Sequence, residues 1–356
     1  MLNRRQVLAA GSGGALSTML PESHSEVWAQ TPRKSLSLHI GINEANPAAY
    51  PGGISSLSGC INDAIAYRKI AVQAGFQKSA ELHNSQATIE QVTSYIYHAA
   101  EHLQSGDIFF VSYAGHGASV RDRSGDEPDR QDETWCLYNG MLLDDYLYSL
   151  WARFKPGVRL LVISDSCHSG SVARVRAAAS GLARELGVEN STTRSLLPEA
   201  IPGGEAGKSR ALQAARETAR ALSETGQLEN IGPALGFQPR TLSSTQAARA
   251  YQQNWEWYDA QQRAAAGASN SAAVRASGIL LAACQDHQLS WENSTGVAGG
   301  LFTRMMQDAF QQRSSFSGYS LMADFITRKM PGYQTPNFFP FGAEQDSFFN
   351  QRPFTV

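Results

Sequence analysis

The sequence predicts an α/β fold, a three-layer sandwich with a mostly parallel central sheet and helices on both faces. Three observations carry this. Asp107–Tyr113 and Val158–Ser164 are continuous apolar runs, as expected of strands buried on both faces of a parallel sheet. Ile89, Val92, Ile96, Ala99 and Leu103 recur at steps of three and four, the spacing of one helix face. Strand-like and helix-like segments alternate along the chain, the rhythm of strand–helix–strand units.

Taken in order, Leu36–Ile42 is a short apolar strand. The segment from Gly59 to Gly75 is a helix carrying Ile61, Ile65 and Val72, stopped by the glycine. Thr88 caps the helix that begins at Ile89. The strand at 107–113 follows, then a helix over Leu142–Phe154 and the strand at 158–164. From Arg174 to Ala276 the composition shifts to Ala, Arg, Ser, Glu and Gln. Breaks fall at Pro198, at Pro202-Gly203-Gly204 and at Gly232-Pro233, no run is strand-like, and helical pieces are expected at Ser209–Ser223 and Ser243–Ala265. The α/β pattern resumes with a strand at Gly278–Ala283, helices at Leu301–Phe310 and Tyr319–Met330, and an edge strand at Phe338–Phe341. One α/β domain (31–173 and 277–356) is therefore expected, split by an insertion (174–276). Trp255, Trp257 and Tyr258 argue that part of the insertion is docked.

Composition bounds the function. With 356 residues, 42% hydrophobic and 17% charged, the chain can bury a large core and is not a disordered polyelectrolyte. A net charge of −2 gives no electrostatic case for nucleic acid. Past the N-terminus no run of about 18 apolar residues is long enough to span a membrane. Cys60, Cys136, Cys167 and Cys284 are too few for a disulfide framework and contain no C-x-x-C pair. Residues 1–30 pair Arg4-Arg5 with a weakly apolar stretch and a small-residue site at Val27-Trp28-Ala29, similar to a twin-arginine export signal. A periplasmic or secreted location is the expectation, with the cytoplasm as the alternative.

Ligands bind beyond the carboxyl ends of parallel strands. Two of the strands end in polar sequences there: Tyr113-Ala114-Gly115-His116-Gly117 and Ser164-Asp165-Ser166-Cys167-His168-Ser169-Gly170. A thiol and an imidazole at such tips suit nucleophilic catalysis, because the thiolate attacks and the histidine moves its proton. The flanking glycines let backbone N–H groups approach an oxyanion. His116 precedes Cys167 by about 50 residues, a separation that caspases share.

These motifs resemble those of the metacaspases, the caspase-like cysteine peptidases of bacteria, plants, fungi and protists. Leu57-Ser58-Gly59-Cys60-Ile61-Asn62-Asp63-Ala64 resembles the block after the first strand. Ala282-Ala283-Cys284-Gln285-Asp286, Gly300-Leu301-Phe302-Thr303 and Pro353-Phe354 resemble the small-subunit part. The resemblance covers about 35–173 and 277–356 and implies a caspase-like sandwich. Cys167 is then the nucleophile, His116 the general base and acid, and the N–H groups of Gly117 and Cys167 the oxyanion hole. It also implies cleavage of protein substrates after Arg or Lys, by a monomer. The residues matching the specificity pocket are Asp63, Asp165, Cys60 and Ala114. Two carboxylates favour a cationic side chain, and arginine can bond both where lysine cannot.

No cofactor is required for the chemistry, but calcium is implied as an activator. Asp132, Asp144 and Asp145 are candidate ligands, with the acidic stretch from Asp122; Arg174 stands where the resemblance calls for a carboxylate. Asp144-Asp145 could equally be carboxylates at a helix N-terminus. Relatives are often cut within the inserted segment after a basic residue. Arg174, Arg176, Arg184, Arg194, Lys208, Arg210, Arg216 and Arg220 offer such sites. The alternative to a peptidase is a non-catalytic caspase-like binding module.

Overall fold

The structure, a computed structural model, describes residues 33–121, 131–166, 237–265, 274–284, 290–293, 299–330, 334–343 and 345–356. The proposed export signal, the helix expected at Ser209–Ser223, the eight basic sites from Arg174 to Arg220, the Asp122–Asp129 stretch and Cys167-His168 lie outside them. Among the described residues no helix is long and apolar enough to cross a membrane.

The strands, in chain order, begin with β1 (Ser35–Gly41), β2 (Lys78–His83), β3 (Ile108–Ala114), β4 (Gly117–Arg121), β5 (Gln131–Leu137) and β6 (Gly140–Leu143). They continue with β7 (Arg159–Asp165), β8 (Phe237–Pro239), β9 (Ser277–Ala282), β10 (Trp291–Asn293) and β11 (Asn337–Gly342). The helices are α1 (Cys60–Ala74), α2 (Ile89–His102), α3 (Asp144–Trp151), α4 (Ser244–Gln253), α5 (Trp255–Ala265), α6 (Leu301–Gln311), α7 (Tyr319–Lys329) and α8 (Gln345–Phe349). A six-stranded sheet in the order β11-β9-β7-β3-β1-β2 forms the centre. All its pairs are parallel except the edge strand β11, which runs antiparallel to β9.

Period-two alternation splits the core strands between two apolar layers. Phe109, Val111, Leu160 and Val162 face one layer with Val92 and Ile96 of α2 and Leu147 and Leu150 of α3. Phe110, Leu161 and Ile163 face the other with Tyr67 and Ile70 of α1, Phe302 and Met306 of α6 and Met322 of α7. Helix α1 ends at Gly75, which adopts a left-handed φ of 94° that only glycine takes without strain. Its start abuts the end of β1. A side chain at Gly41 would collide with the backbone of Cys60 and Ile61, so glycine there lets α1 lie against the strand tip.

Several segments depart from the sequence reading: β4 and β10 have no predicted counterpart, and the helical piece expected at Ser243–Ala265 is two helices, α4 and α5. Leu142 and Leu143, expected to open a helix, instead end a strand at Gly140–Leu143. It pairs with β5 in a three-stranded antiparallel sheet (β4-β5-β6), and the helix begins only at Asp144. β2 has no counterpart in the sequence reading, because this half-buried edge strand carries Lys78, Ser79 and Glu81 in place of an apolar run. β8 lies inside the insertion, where no strand was foreseen; it pairs antiparallel with β10. The later insertion is docked: Ala247, Ala250, Tyr251 and Tyr258 pack on Ala118, Met141 and Leu143 of the β4–β6 sheet.

Candidate active site

His116 sits between β3 and β4, on the carboxyl side of the main sheet. Its carbonyl accepts hydrogen bonds from Tyr113 Oη (2.6 Å) and from Cys136 N (3.0 Å). A side chain at Gly115 would strike the Tyr113 hydroxyl, so the Ala-Gly-His turn requires glycine there. The ring nitrogen Nε2 lies 2.7 Å from Ser55 O and can only donate to a carbonyl. The basic lone pair of the neutral imidazole is therefore on Nδ1, and the Ser55 carbonyl fixes ring orientation and tautomer together.

Asp165 is the last residue of β7, and Asp63 lies in the first turn of α1; both side chains are fully buried. They converge on a third buried group, the Arg240 guanidinium. Nη1 lies 2.9 Å from Asp165 Oδ2, and Nη2 is ion-paired with Asp63 Oδ2. Asp165 also accepts from Ser290 Oγ (2.6 Å) and Thr303 Oγ1 (3.1 Å), and Asp63 accepts from Gly300 N (2.8 Å). A Cβ on Gly300 would press on both Asp165 and Arg240, so the start of α6 can close over the pocket only as glycine. Burial pushes the Asp63 carboxyl up to about 6, with Arg240 opposing the shift and Asp165 adding to it. Removing one member of such a buried set strands the others' charge, a loss on the order of 3–5 kcal/mol.

The backbone of the same residue is held as well. Gly117 N donates to Arg240 O at 3.0 Å, Arg240 N donates to Ser290 O at 3.0 Å, and Leu242 N donates to Gly117 O at 2.9 Å. Cys60 and Ala114 are buried and pack with Leu57 in a small apolar cluster. Cys60 stands one turn before Asp63, and Ala114 is level with Asp165 across the β3–β7 pair.

The structure thus brings Asp63 and Asp165 together and sets His116 and Gly117 at adjoining strand tips. Cys167 lies outside the described residues, one position beyond Ser166. Cys60, Cys136 and Cys284 are buried and in no disulfide among the described residues, and burial pushes the Cys136 thiol up to about 12, away from the thiolate form. Carboxylate oxygens of Asp132, Asp144 and Asp145 lie within 4.8 Å of one another. This hard-oxygen set fits part of a calcium shell, which needs six to eight such donors. Asp132 Oδ2 accepts from Gln262 Nε2 of α5 at 2.6 Å. Asp144 and Asp145 also open α3, as carboxylates favoured at a helix N-terminus do.

Residues 38–350 match the caspase domain family of peptidases. The chain belongs to the caspase-domain family. Within it, the metacaspases are similar relatives. Metacaspase-1 of Cryptococcus neoformans is 32% identical over 158 residues, 40% of this chain and 33% of that protein. Metacaspase-4 of Arabidopsis thaliana is 33% identical over 144 residues, 37% of this chain and 33% of that protein. The chain spans about a third of the length of these two relatives. A protein of Geobacter sulfurreducens with a known crystal structure is 33% identical, with a TM-score of 0.65 over 91% of this chain and 99% of that one. The caspase-like sandwich expected from the sequence is the fold found, and this caspase-domain chain is a member of a cysteine peptidase family.

Sequence reasoning missed Arg240, Ser55, Ser290 and Thr303. Ser55 acts through a carbonyl, which no side-chain pattern reveals. Ser290 and Thr303 are ordinary hydroxyls until the fold aims them at Asp165. Arg240 carries only a weak signal, a basic residue beside proline in the inserted segment, which local sequence does not set apart from the other arginines there.

Proposed function

We propose that this chain is a cysteine endopeptidase that cleaves protein substrates after arginine, and less well after lysine, through a Cys167/His116 dyad. The observation that carries the reading is Arg240. Its guanidinium lies between Asp63 and Asp165 while its carbonyl oxygen accepts from Gly117 N. A substrate arginine binding in the same way would have its cation neutralised and its scissile carbonyl polarised by one donor of an oxyanion hole.

His116, oriented by the Ser55 carbonyl, takes the proton of Cys167 and later delivers it to the leaving amine. The Cys167 N–H is the second oxyanion donor in this reading. Two nitrogens reaching two separate carboxylates is a guanidinium arrangement; one ammonium cannot reproduce both contacts with the same geometry. An aspartate at this position would meet like charge. The cleft favours extended peptides, through the edge of β10, over nucleic acid.

Calcium is proposed as an activator held by Asp132, Asp144 and Asp145, where it would neutralise clustered carboxylates and brace the sheet that begins at Gly117; Arg174 counts against a complete ligand set. The export signal proposed for residues 1–30 would send a monomeric peptidase to the periplasm or beyond.

The test is hydrolysis of peptide reporters ending in Arg, Lys, Asn and Asp. Arg should lead, and Cys167→Ala or His116→Ala should lose at least about a thousandfold in kcat. Undiminished activity in Cys167→Ala would refute the mechanism, and a preference for Asp would refute the pocket assignment.

A further inference from the structure

Resting on the peptidase reading, a second inference concerns what holds the general base in its working form. Two oxygens of Ser55 face His116 Nε2, the carbonyl at 2.7 Å and the hydroxyl at 3.4 Å. Their effects on the ring are opposite. The carbonyl can only accept, so it keeps the proton on Nε2 and the basic lone pair on Nδ1. The hydroxyl can donate, and a hydroxyl donating to Nε2 moves the ring proton to Nδ1 and removes the lone pair that serves as the base. A small displacement of the Ser55 loop therefore decides whether the imidazole can act.

That loop is anchored at both ends. Tyr50 is buried and donates its hydroxyl to Leu137 O at 2.6 Å; Leu57 is buried and its N–H donates to Asn43 O at 2.8 Å. Between these anchors Gly53 N closes a turn onto Tyr50 O at 3.0 Å. Gly52 and Gly53 are exposed, with φ of 111° and 90°, left-handed angles that glycine enters and leaves at little cost. A second hold comes from α4, across 193 positions of chain. Gln246 Nε2 donates to Gly53 O at 2.9 Å and lies 3.5 Å from Gly52 O, and Gln253 Nε2 donates to Ala48 O at 2.9 Å. Ile54, half-buried, packs on the apolar cluster that contains Ala247, Ala250 and Tyr251 of α4. The Gln246 amide is itself oriented, because Ser243 N (3.0 Å) and Ser243 Oγ (2.8 Å) both donate to its Oε1. A backbone N–H can only donate, so the oxygen faces Ser243 and the NH2 faces the glycine carbonyls.

We propose that Gln246 is a positioning residue for the reaction: by holding the Gly52–Gly53 turn it keeps the Ser55 carbonyl on His116 Nε2, and the docked half of the insertion thereby sets the tautomer of the general base. Gln246 acts through the loop, from Gly53 past Ile54 to Ser55, and not on the imidazole directly. The insertion is then a working part of the peptidase, and undocking α4 lowers activity by releasing the histidine.

The test exchanges a single donor. Gln246→Glu keeps an oxygen for Ser243, as glutamate does in a reciprocal helix-start box, and places an anion where the helix dipole favours it, so the variant should melt within about 2 °C of wild type. It replaces the NH2 facing Gly53 O by a second oxygen, which repels that carbonyl. Nitrogen NMR of the full-length Cys167→Ala protein, with and without Gln246→Glu, reads the neutral His116 ring directly. With Gln246 present a single Nε2–H tautomer is expected, and in Gln246→Glu a mixture with Nδ1–H. With Cys167 restored, Gln246→Glu should lower kcat on an arginine reporter about tenfold while KM stays within about twofold, because the pocket carboxylates are untouched. Adding Ser55→Ala, which deletes the competing hydroxyl and keeps the carbonyl, should bring back the Nε2–H tautomer and most of the lost kcat. An unchanged tautomer in Gln246→Glu, or a loss of kcat that follows a lowered melting temperature with the tautomer unchanged, would overturn this inference and leave the peptidase reading standing. Failure of the wild type to hydrolyse any arginine reporter would instead overturn the peptidase reading, and the tautomer comparison would still decide what Gln246 does to His116.

Discussion

Asp63 and Asp165 show how a residue's chemistry depends on what the fold places beside it. Asp63, on its own helix, could as well be a solvated carboxylate; in the structure it is fully buried and meets Arg240 and Gly300 N. Its burial sets a pH dependence. With a guanidinium in the pocket, the carboxyl titrates at about 6, so above that pH it is charged and below it becomes neutral. Losing one of two anions weakens cation binding, so the KM for an arginine reporter should rise as pH falls through about 6. Asp63→Asn should raise KM about 10- to 100-fold, the range of one charged hydrogen bond, and flatten that step. An unchanged KM–pH profile in Asp63→Asn would separate Asp63 from substrate binding. Asp165, Tyr67 and Arg240 face Asp63, and Asp165 is unchanged in this comparison, so the lost step reports Asp63 itself.

Among elements, those with strong local signals were legible. Continuous apolar runs became β3 and β7, and the three-four spacing became α2 with Thr88 as its cap. β2 and β8 were not, because an edge strand with one side in water needs no apolar run and a three-residue strand offers no pattern. Leu142 and Leu143, the end of β6, continue the apolar spacing of α3 and so read as helix; pairing with β5 overrides that periodicity. Helix α4 illustrates the remaining local control. Ser243 and Gln246 satisfy each other's backbone donors at its start. Ser243→Ala should lower stability by about 1 kcal/mol in denaturant unfolding. A stability within error of wild type would mean the box is not sampled by the folded chain.

At the scale of the molecule, the two apolar layers fix the sheet, and the sheet fixes which loops meet. β3 and β7 are parallel neighbours, so Ala114 and Asp165 end level, and the His116 turn and the Asp165 tip open on the same edge. The insertion then closes that edge: α5 packs on the β4–β6 sheet, and Gln262 bonds Asp132, one of the three clustered carboxylates. Calcium binding there should be measurable by calorimetry on the full-length Cys167→Ala protein and lost in Asp145→Ala. Equal binding by both proteins would remove these carboxylates as the site. A Gln262→Ala variant should bind the ion at least as well, because it deletes a competing donor on Asp132.

The amino-acid order alone determined the parallel α/β plan, the histidine and cysteine motifs at strand ends, the acidic residues and the insertion. Each of these is written in short-range terms: a hydrophobic period, a cap, a cluster of reactive side chains. Tertiary structure decided the rest, because the deciding contacts join residues far apart in the chain. Asp63 meets Arg240 across 177 positions and Asp165 meets Ser290 across 125. No local pattern specifies such pairs. They form because burial makes an unpaired charge costly, so the folded chain brings a cation from the insertion to the carboxylates that its own strands and helix assemble.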